Sequence, residues 1–381
     1  MAENSLQKLA WNILHYSLQV KAGERAFIYA SPLAKPLLLV LTDEIKKIGA
    51  YPYFTIFEEA LDRAFLNTLP VDKPEEVVEL INKRIGPENY IIDHADVSII
   101  IRSKESDNPY EGVPMEILGS WQKVMGAIFS RFTRETRWVV MDWPTENQAR
   151  KAGMTYNEFY EYVMRVSAID YSELNRKAQP LKQILDVTDK VRISGPGTDL
   201  SFSKKGINTI IGTAENSYID GEVYTAPIKD SVEGYVSYSV PTIYMGQSFD
   251  GIRLKFSKGR IVKATCKKGS QKALDQIIDT DEGSRYIGEF ALGINPEVNI
   301  PMNDIHYDEK IAMSFHLTPG QCYDEAPNGN NSAVHWDLVC MQSKEYGGGE
   351  IWLDDVLIRK DGLFVHPDLI PLNPGFSSSG K

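Results

Sequence analysis

Apolar positions along the first half of the chain follow two alternating rhythms. Leu6, Leu9, Ile13 and Leu14 recur at helical spacing, which predicts an amphipathic first helix. RAFIYA (25–30) then reads as a short buried strand. PLLLVLTDEIKKIG (36–49) returns to the helical period, with Leu37, Val40, Leu41 and Ile45 on one side and Gly49 as its stop. AYPYFTIF (50–57) is rich in β-branched and aromatic residues and predicts a second strand. EEVVELINKRIG (75–86) reads as a helix stopped by Gly86. DVSIIIRS (96–103) is apolar on both faces, as a strand covered on both sides of a sheet must be. RWVVMDWP (137–144) repeats that signal and stops at a proline, and residues 157–189 are mainly helical. Strands separated by helices predict an α/β domain with a mostly parallel sheet over residues 1–186.

The period changes after about residue 187. Short alternating strands now come with Gly, Asp and Pro turns, and KGR (258–260) and KDG (360–362) read as hairpin turns. One helix, SQKALDQIIDTD (270–281), interrupts them. A second, largely antiparallel β domain is expected over 187–381, ending in a small polar tail, SSSGK, expected to fray. The Gly-rich stretches add no phosphate site: GPGT (195–198) lacks the required spacing and leads into a strand, and GGG (347–349) reads as a loop.

Composition narrows the classes. The chain has 381 residues, 43% hydrophobic and 24% charged, as ordinary globular proteins do. A net charge of −11 argues against a nucleic-acid footprint, which needs a basic face. No apolar run reaches the ~20 residues needed to cross a bilayer, and the start has no signal-peptide core. Cys266, Cys322 and Cys340 are too few and too scattered for a disulfide framework. A cytoplasmic protein without nucleic-acid or membrane partners is expected.

The histidines carry the chemistry. Three of the six, His306, His316 and His335, lie within thirty residues. His15, His94, His306 and His366 read as surface, turn or structural residues. His316 closes the apolar run KIAMSFHL, where an imidazole would be desolvated unless something binds it. His335 and Asp337 in AVHWDLVC would share one face of an extended strand, with Trp336 on the other. Tyr323 opens the loop between these segments. Glu222 heads EVYTAP, and Glu289 sits in the apolar run IGEFALG. Two imidazoles, carboxylates and a phenol oxygen suit a first-row transition metal. Read one at a time, each carboxylate is as well explained by a salt bridge, so the residues alone leave a metal site and satisfied structural side chains both open.

Taken in order, GEVYTAP, IGEFALGINP, FHL with Tyr323 seven residues on, SAVHWDLV and GGGEIWLDDVLIRKDGLF resemble the thermophilic metallo-aminopeptidases, the aminopeptidase T or M29 family. The resemblance extends over most of the chain. It implies an α/β N-terminal domain, a C-terminal domain built around a β-barrel, and a homodimer acting on peptides. It also implies two divalent metal ions per chain, zinc, cobalt or manganese, on Glu222, Glu289, His316, Tyr323, His335 and Asp337. The segment between Tyr323 and His335 looks shorter than in many members. A general base is expected among the carboxylates, with Glu289 as first choice and Glu233 and Glu325 as alternatives on proximity in sequence. Two other readings remain: a mononuclear non-haem iron dioxygenase using His316, His335 and Asp337, which predicts loss of the glutamates, and a metal-bound dimeric module without activity.

Overall fold

The computed structural model describes residues 2–376, so the SSSGK tail lies outside the described residues. The chain divides into two compact units: Met1–Ile169 with Ala214–Tyr218, and Asp170–Thr213 with Ile219–Lys381.

The first unit holds a parallel sheet of β1 (Arg25–Ala30), β2 (Tyr51–Ile56), β3 (Val97–Ser103) and β4 (Arg137–Trp143). The order is β2-β1-β3-β4, and the two-residue strand Ser217–Tyr218 joins the β4 edge. Each strand matches its apolar segment in the sequence. The helix Lys35–Ile48 ends on Gly49, whose φ of 81° lets the chain turn out of the helix, as the pattern predicts. Gly86 behaves differently. The helix Pro74–Arg84 ends at Ile85, and Gly86 opens the next helix, Gly86–Ile92, because Pro87 fits a first helical turn. The 21-residue helix Met115–Glu135 has a buried stripe of Ile117, Trp121, Ile128 and Phe132, packed with Phe27 of β1 and Ile100 of β3. Gly119 and Gly126 interrupt its pattern, which is why periodicity alone leaves it unassigned.

The second unit is antiparallel throughout its two main sheets. One has eight strands, from Arg260–Thr265 at one edge, through Thr198–Ser203 and Lys190–Gly195, to Leu363–Phe364 at the other. It is open at both edges among the described residues, so no closed barrel forms. The KGR and KDG turns join neighbouring strands of this sheet, and GPGT is the tight turn between two others. The other sheet has five strands in the order Leu338–Met341, Ser314–Pro319, Ile287–Gly293, Glu222–Thr225 and Ile210–Gly212. No helix among the described residues is long and apolar enough to cross a membrane.

Candidate metal centre

Register in the five-stranded sheet assembles the site. Side chains directly opposite each other on antiparallel strands share a face. Glu222 faces Gly293, Tyr224 and His316 both face Ala291, and Glu289 faces Thr318. Alternation therefore puts Glu222, Tyr224, Glu289, His316 and Thr318 on one face of three neighbouring strands. His316 lies in the middle of its strand, not at the end of a longer one. Met313, with φ of 66°, breaks the run KIAMSFHL, so the strand begins at Ser314.

His335 and Asp337 arrive by another route. They precede the strand Leu338–Met341, and His335 forms only an isolated bridge to Gly320. A Cβ on Gly320 would lie 1.9 Å from the carbonyl oxygen of Val334, so only glycine lets the two segments come this close. Trp336 turns the opposite way, as alternation predicts. Its indole is buried against Tyr244, with ring centroids 4.8 Å apart, and donates to Thr242 Oγ1.

The donor atoms form two groups with one shared member. His316 Nε2 lies 3.6 Å from Glu222 Oε2 and 3.5 Å from Glu289 Oε1. His335 Nε2 lies 3.4 Å from Glu289 Oε2 and 3.3 Å from Asp337 Oδ1. Glu222, Glu289 and His316 could hold one metal ion, and Glu289, His335 and Asp337 another. Donors on a tetrahedral ion, with bonds of about 2.0–2.2 Å, stand roughly 3.4 Å from one another. All four separations fall at that spacing, which is too wide for strong hydrogen bonds. Glu222 Oε2 and His335 Nε2 are buried and have no hydrogen-bond partner among the described residues. His335 Nδ1 lies 2.9 Å from the carbonyl oxygen of Gln321, so Nδ1 carries a proton and Nε2 is directed at the carboxylates. Borderline and hard donors are mixed here, imidazole nitrogen with carboxylate oxygen, and this chemistry fits a divalent transition metal.

Tyr323 joins through its ring, which packs 4.9 Å from His335 and 5.2 Å from Tyr224. Burial and the surrounding carboxylates push its phenol well above the ordinary range. Of the other candidates, Glu233 is exposed, and its carboxylate accepts from the Lys258 backbone at the hairpin turn of the eight-stranded sheet. Glu325 is exposed on the loop after Tyr323 and interacts electrostatically with Tyr224. His15 pairs with Glu44, His94 bonds to the Tyr90 carbonyl, His306 is exposed, and His366 caps a short helix.

The electrostatics report a demand for cations. Burial pushes the Glu222 carboxyl up to about 7, although Lys310 and His316 oppose the shift. Burial disfavours a charged His316, but its contact with Glu289 outweighs this and lifts it to about 9. In the same balance Asp337 lifts His335 to about 12. Burial would raise Asp337 too, yet His335 holds it well below the usual carboxylate range.

Several residues that shape the site have no sequence signal. Lys310 is buried, with Nζ 2.5 Å from Glu222 Oε1, 2.8 Å from Glu309 and 3.5 Å from Asp220. Its backbone crosses the sheet at Gly293, where a Cβ would meet the Ile311 carbonyl at 2.1 Å. Thr318 donates to Asp337 Oδ1 at 2.6 Å. A lysine at the head of an apolar run reads as solvated, and the bend at Met313 decouples it from the alternation that places His316.

The chain matches the family described as thermophilic metalloprotease (M29) over residues 2–364. Aminopeptidase T of Thermus thermophilus is 25% identical over 398 aligned residues, covering 88% of this chain and 92% of that protein. Aminopeptidase AmpS of Bacillus subtilis is 33% identical over 142 residues, 37% of this chain and 30% of AmpS. Among solved structures, wild-type AmpT from Thermus thermophilus shares the fold with a TM-score of 0.76 at 21% identity, covering 96% of this chain and 100% of that one.

Proposed function

This chain belongs to the thermophilic metalloprotease (M29) family, and on that premise we propose that it is an aminopeptidase that removes N-terminal residues from peptides at a two-metal centre. The observation that carries the reading is the position of Glu289 between two donor groups, one oxygen toward His316 and the other toward His335. A second argument comes from charge. Asp220, Glu222 and Glu309 share one ammonium, Lys310, while Glu289 and Asp337 meet imidazoles and no lysine or arginine among the described residues, so carboxylates outnumber fixed cations. Two divalent cations would balance the excess.

In this reading Glu222, Glu289 and His316 would hold one ion, and Glu289, His335 and Asp337 the other. Tyr323, whose ring packs against His335, would be a further ligand. Zinc, cobalt and manganese all suit the donors. Bound there, the metals would lower the pKa of a shared water towards about 7 and polarise the scissile carbonyl. The protein does the rest. The Gln321 carbonyl orients His335, and Thr318 orients Asp337. Tyr224, Tyr323 and the imidazole of His335 make an aromatic wall against which the first residue of a peptide can lie. The free amino terminus of the substrate is the feature an acidic site selects, and an internal residue lacks it. With both oxygens of Glu289 engaged, we assign it bridging and not proton transfer.

The dioxygenase reading needs His316, His335 and Asp337 without the glutamates, and Glu222 and Glu289 both lie among them. We carry the homodimer as part of the proposal. Its support is the edge strand β2, where Tyr51, Tyr53, Phe54 and Ile56 are all exposed in the single chain.

The test is metal content of the purified protein, together with release of a chromophore from an N-terminal leucine before and after chelation. Two metals per chain and chelator-sensitive release are expected. One iron with oxygen uptake, or two metals without cleavage of any peptide, would sink the proposal.

A further inference from the structure

The two halves of the centre differ in what surrounds them. Glu222 gives Oε1 to the Lys310 ammonium, leaving Oε2 for any other partner. Lys310 is itself held by Glu309 and Asp220, so it stays beside Glu222 when another cation approaches. The Glu222 half-site therefore offers a divalent ion a carboxylate already shared with an ammonium, and a shared carboxylate attracts a second cation less strongly than a free one. The imidazoles differ as well. His335 is oriented through Nδ1 by the Gln321 carbonyl, whereas His316 Nδ1 is buried and has no hydrogen-bond partner among the described residues. Outer partners of this kind are worth about 10–100-fold in metal affinity. Asp337 has the Thr318 hydroxyl at 2.6 Å and no lysine or arginine at salt-bridge distance among the described residues.

Both differences act in the same direction. We propose that Lys310 sets an order of loading, in which the half-site of Glu289, His335 and Asp337 takes its cation first and the half-site of Glu222, Glu289 and His316 takes the second more weakly. The inference rests on the dinuclear reading above and adds to it an affinity gap written into the protein. Lys310 is here a positioning residue: it confines Glu222 to one free oxygen and tunes the second ion without touching the first.

The experiment titrates the metal-free, full-length protein with Co2+, followed by calorimetry and visible absorption. The wild type is expected to bind two ions with affinities at least about tenfold apart. His316→Ala should remove the weaker class and His335→Ala the tighter one. Lys310→Met should tighten the weaker class about tenfold and leave the tighter class in place, while Lys310→Arg should preserve the gap. Two equal classes in the wild type, loss of the tighter class in His316→Ala, or a weaker second class in Lys310→Met would each overturn the loading order and leave the dinuclear centre standing. A single ion bound by the wild type would overturn the dinuclear reading itself. The histidine variants keep Lys310 in place, so they decide the order even if Lys310→Met does not fold.

Discussion

Strand β3 and the strand Ile287–Gly293 are both central in five-stranded sheets and both buried along nearly all their length. They handle charge in opposite ways. β3 keeps its one charge, Arg102, at the carboxyl end, 2.8 Å from Asp142. Its interior is Ile99, Ile100 and Ile101, and its stability comes from apolar packing. The second strand puts Glu289 in its interior, where neither lysine nor arginine reaches it among the described residues. A carboxylate there costs several kcal/mol unless cations compensate. The first strand is built for stability. The second carries a buried charge that protons on His316 and His335, or a bound metal, must compensate.

The sharpest way to break the comparison is Glu289→Gln. It keeps the shape and removes the bridging charge, so kcat/KM for an N-terminal leucine substrate should fall on the order of 10³-fold or more. Circular dichroism should show the fold retained. Activity within a few-fold of wild type would mean that Glu289 is an ordinary buried acid.

The reciprocal change in the other strand is Ile99→Ala. Ile99 is fully buried, and its loss should destabilise the protein by about 2–5 kcal/mol in chemical denaturation. Turnover per folded molecule should stay unchanged. A large loss of turnover with intact stability would contradict the division of labour.

A smaller effect is expected from Thr318→Val, which removes the hydroxyl bonded to Asp337. Metal affinity, measured by competition with a chromogenic chelator, should weaken about tenfold. No change would show that Asp337 is oriented by His335 alone.

The mildest test uses a buried carboxyl outside the centre. Asp308 accepts from the Met302 backbone at 2.6 Å, and burial pushes it up to about 8. An acid whose pKa is raised on folding contributes most at low pH, and that contribution is lost as pH rises from about 4 through about 8. Asp308→Asn should therefore flatten the fall in denaturation midpoint between pH 5 and pH 8. An unchanged slope would assign that pH dependence to other groups.

Much of the site could be read along the chain because three of its strands obey simple alternation. Glu222 and Tyr224, Glu289 and Ala291, His316 and Thr318 each sit two residues apart and share a face. His335 and Asp337 were legible as a pair, but their expected strand is mostly an isolated bridge, since Gly320 brings that segment across its neighbour by close approach and not by a regular ladder. Gln321 and Lys310 carried no signal. One acts through a backbone carbonyl, which no residue type reveals. The other acts through a crossing that requires Gly293 to lack a side chain.

Local patterning was enough for the parallel α/β unit, the antiparallel unit and the types of donor atom present, because period, turn residues and side-chain chemistry are properties of short segments. Long-range placement was needed for the rest. Bringing Glu222, Glu289, His316, His335 and Asp337 to a spacing of 3.3–3.6 Å takes contacts between residues up to 94 positions apart. The ammonium of Lys310 at Glu222, 88 positions away, is set by the same long-range packing, and no local pattern encodes that distance.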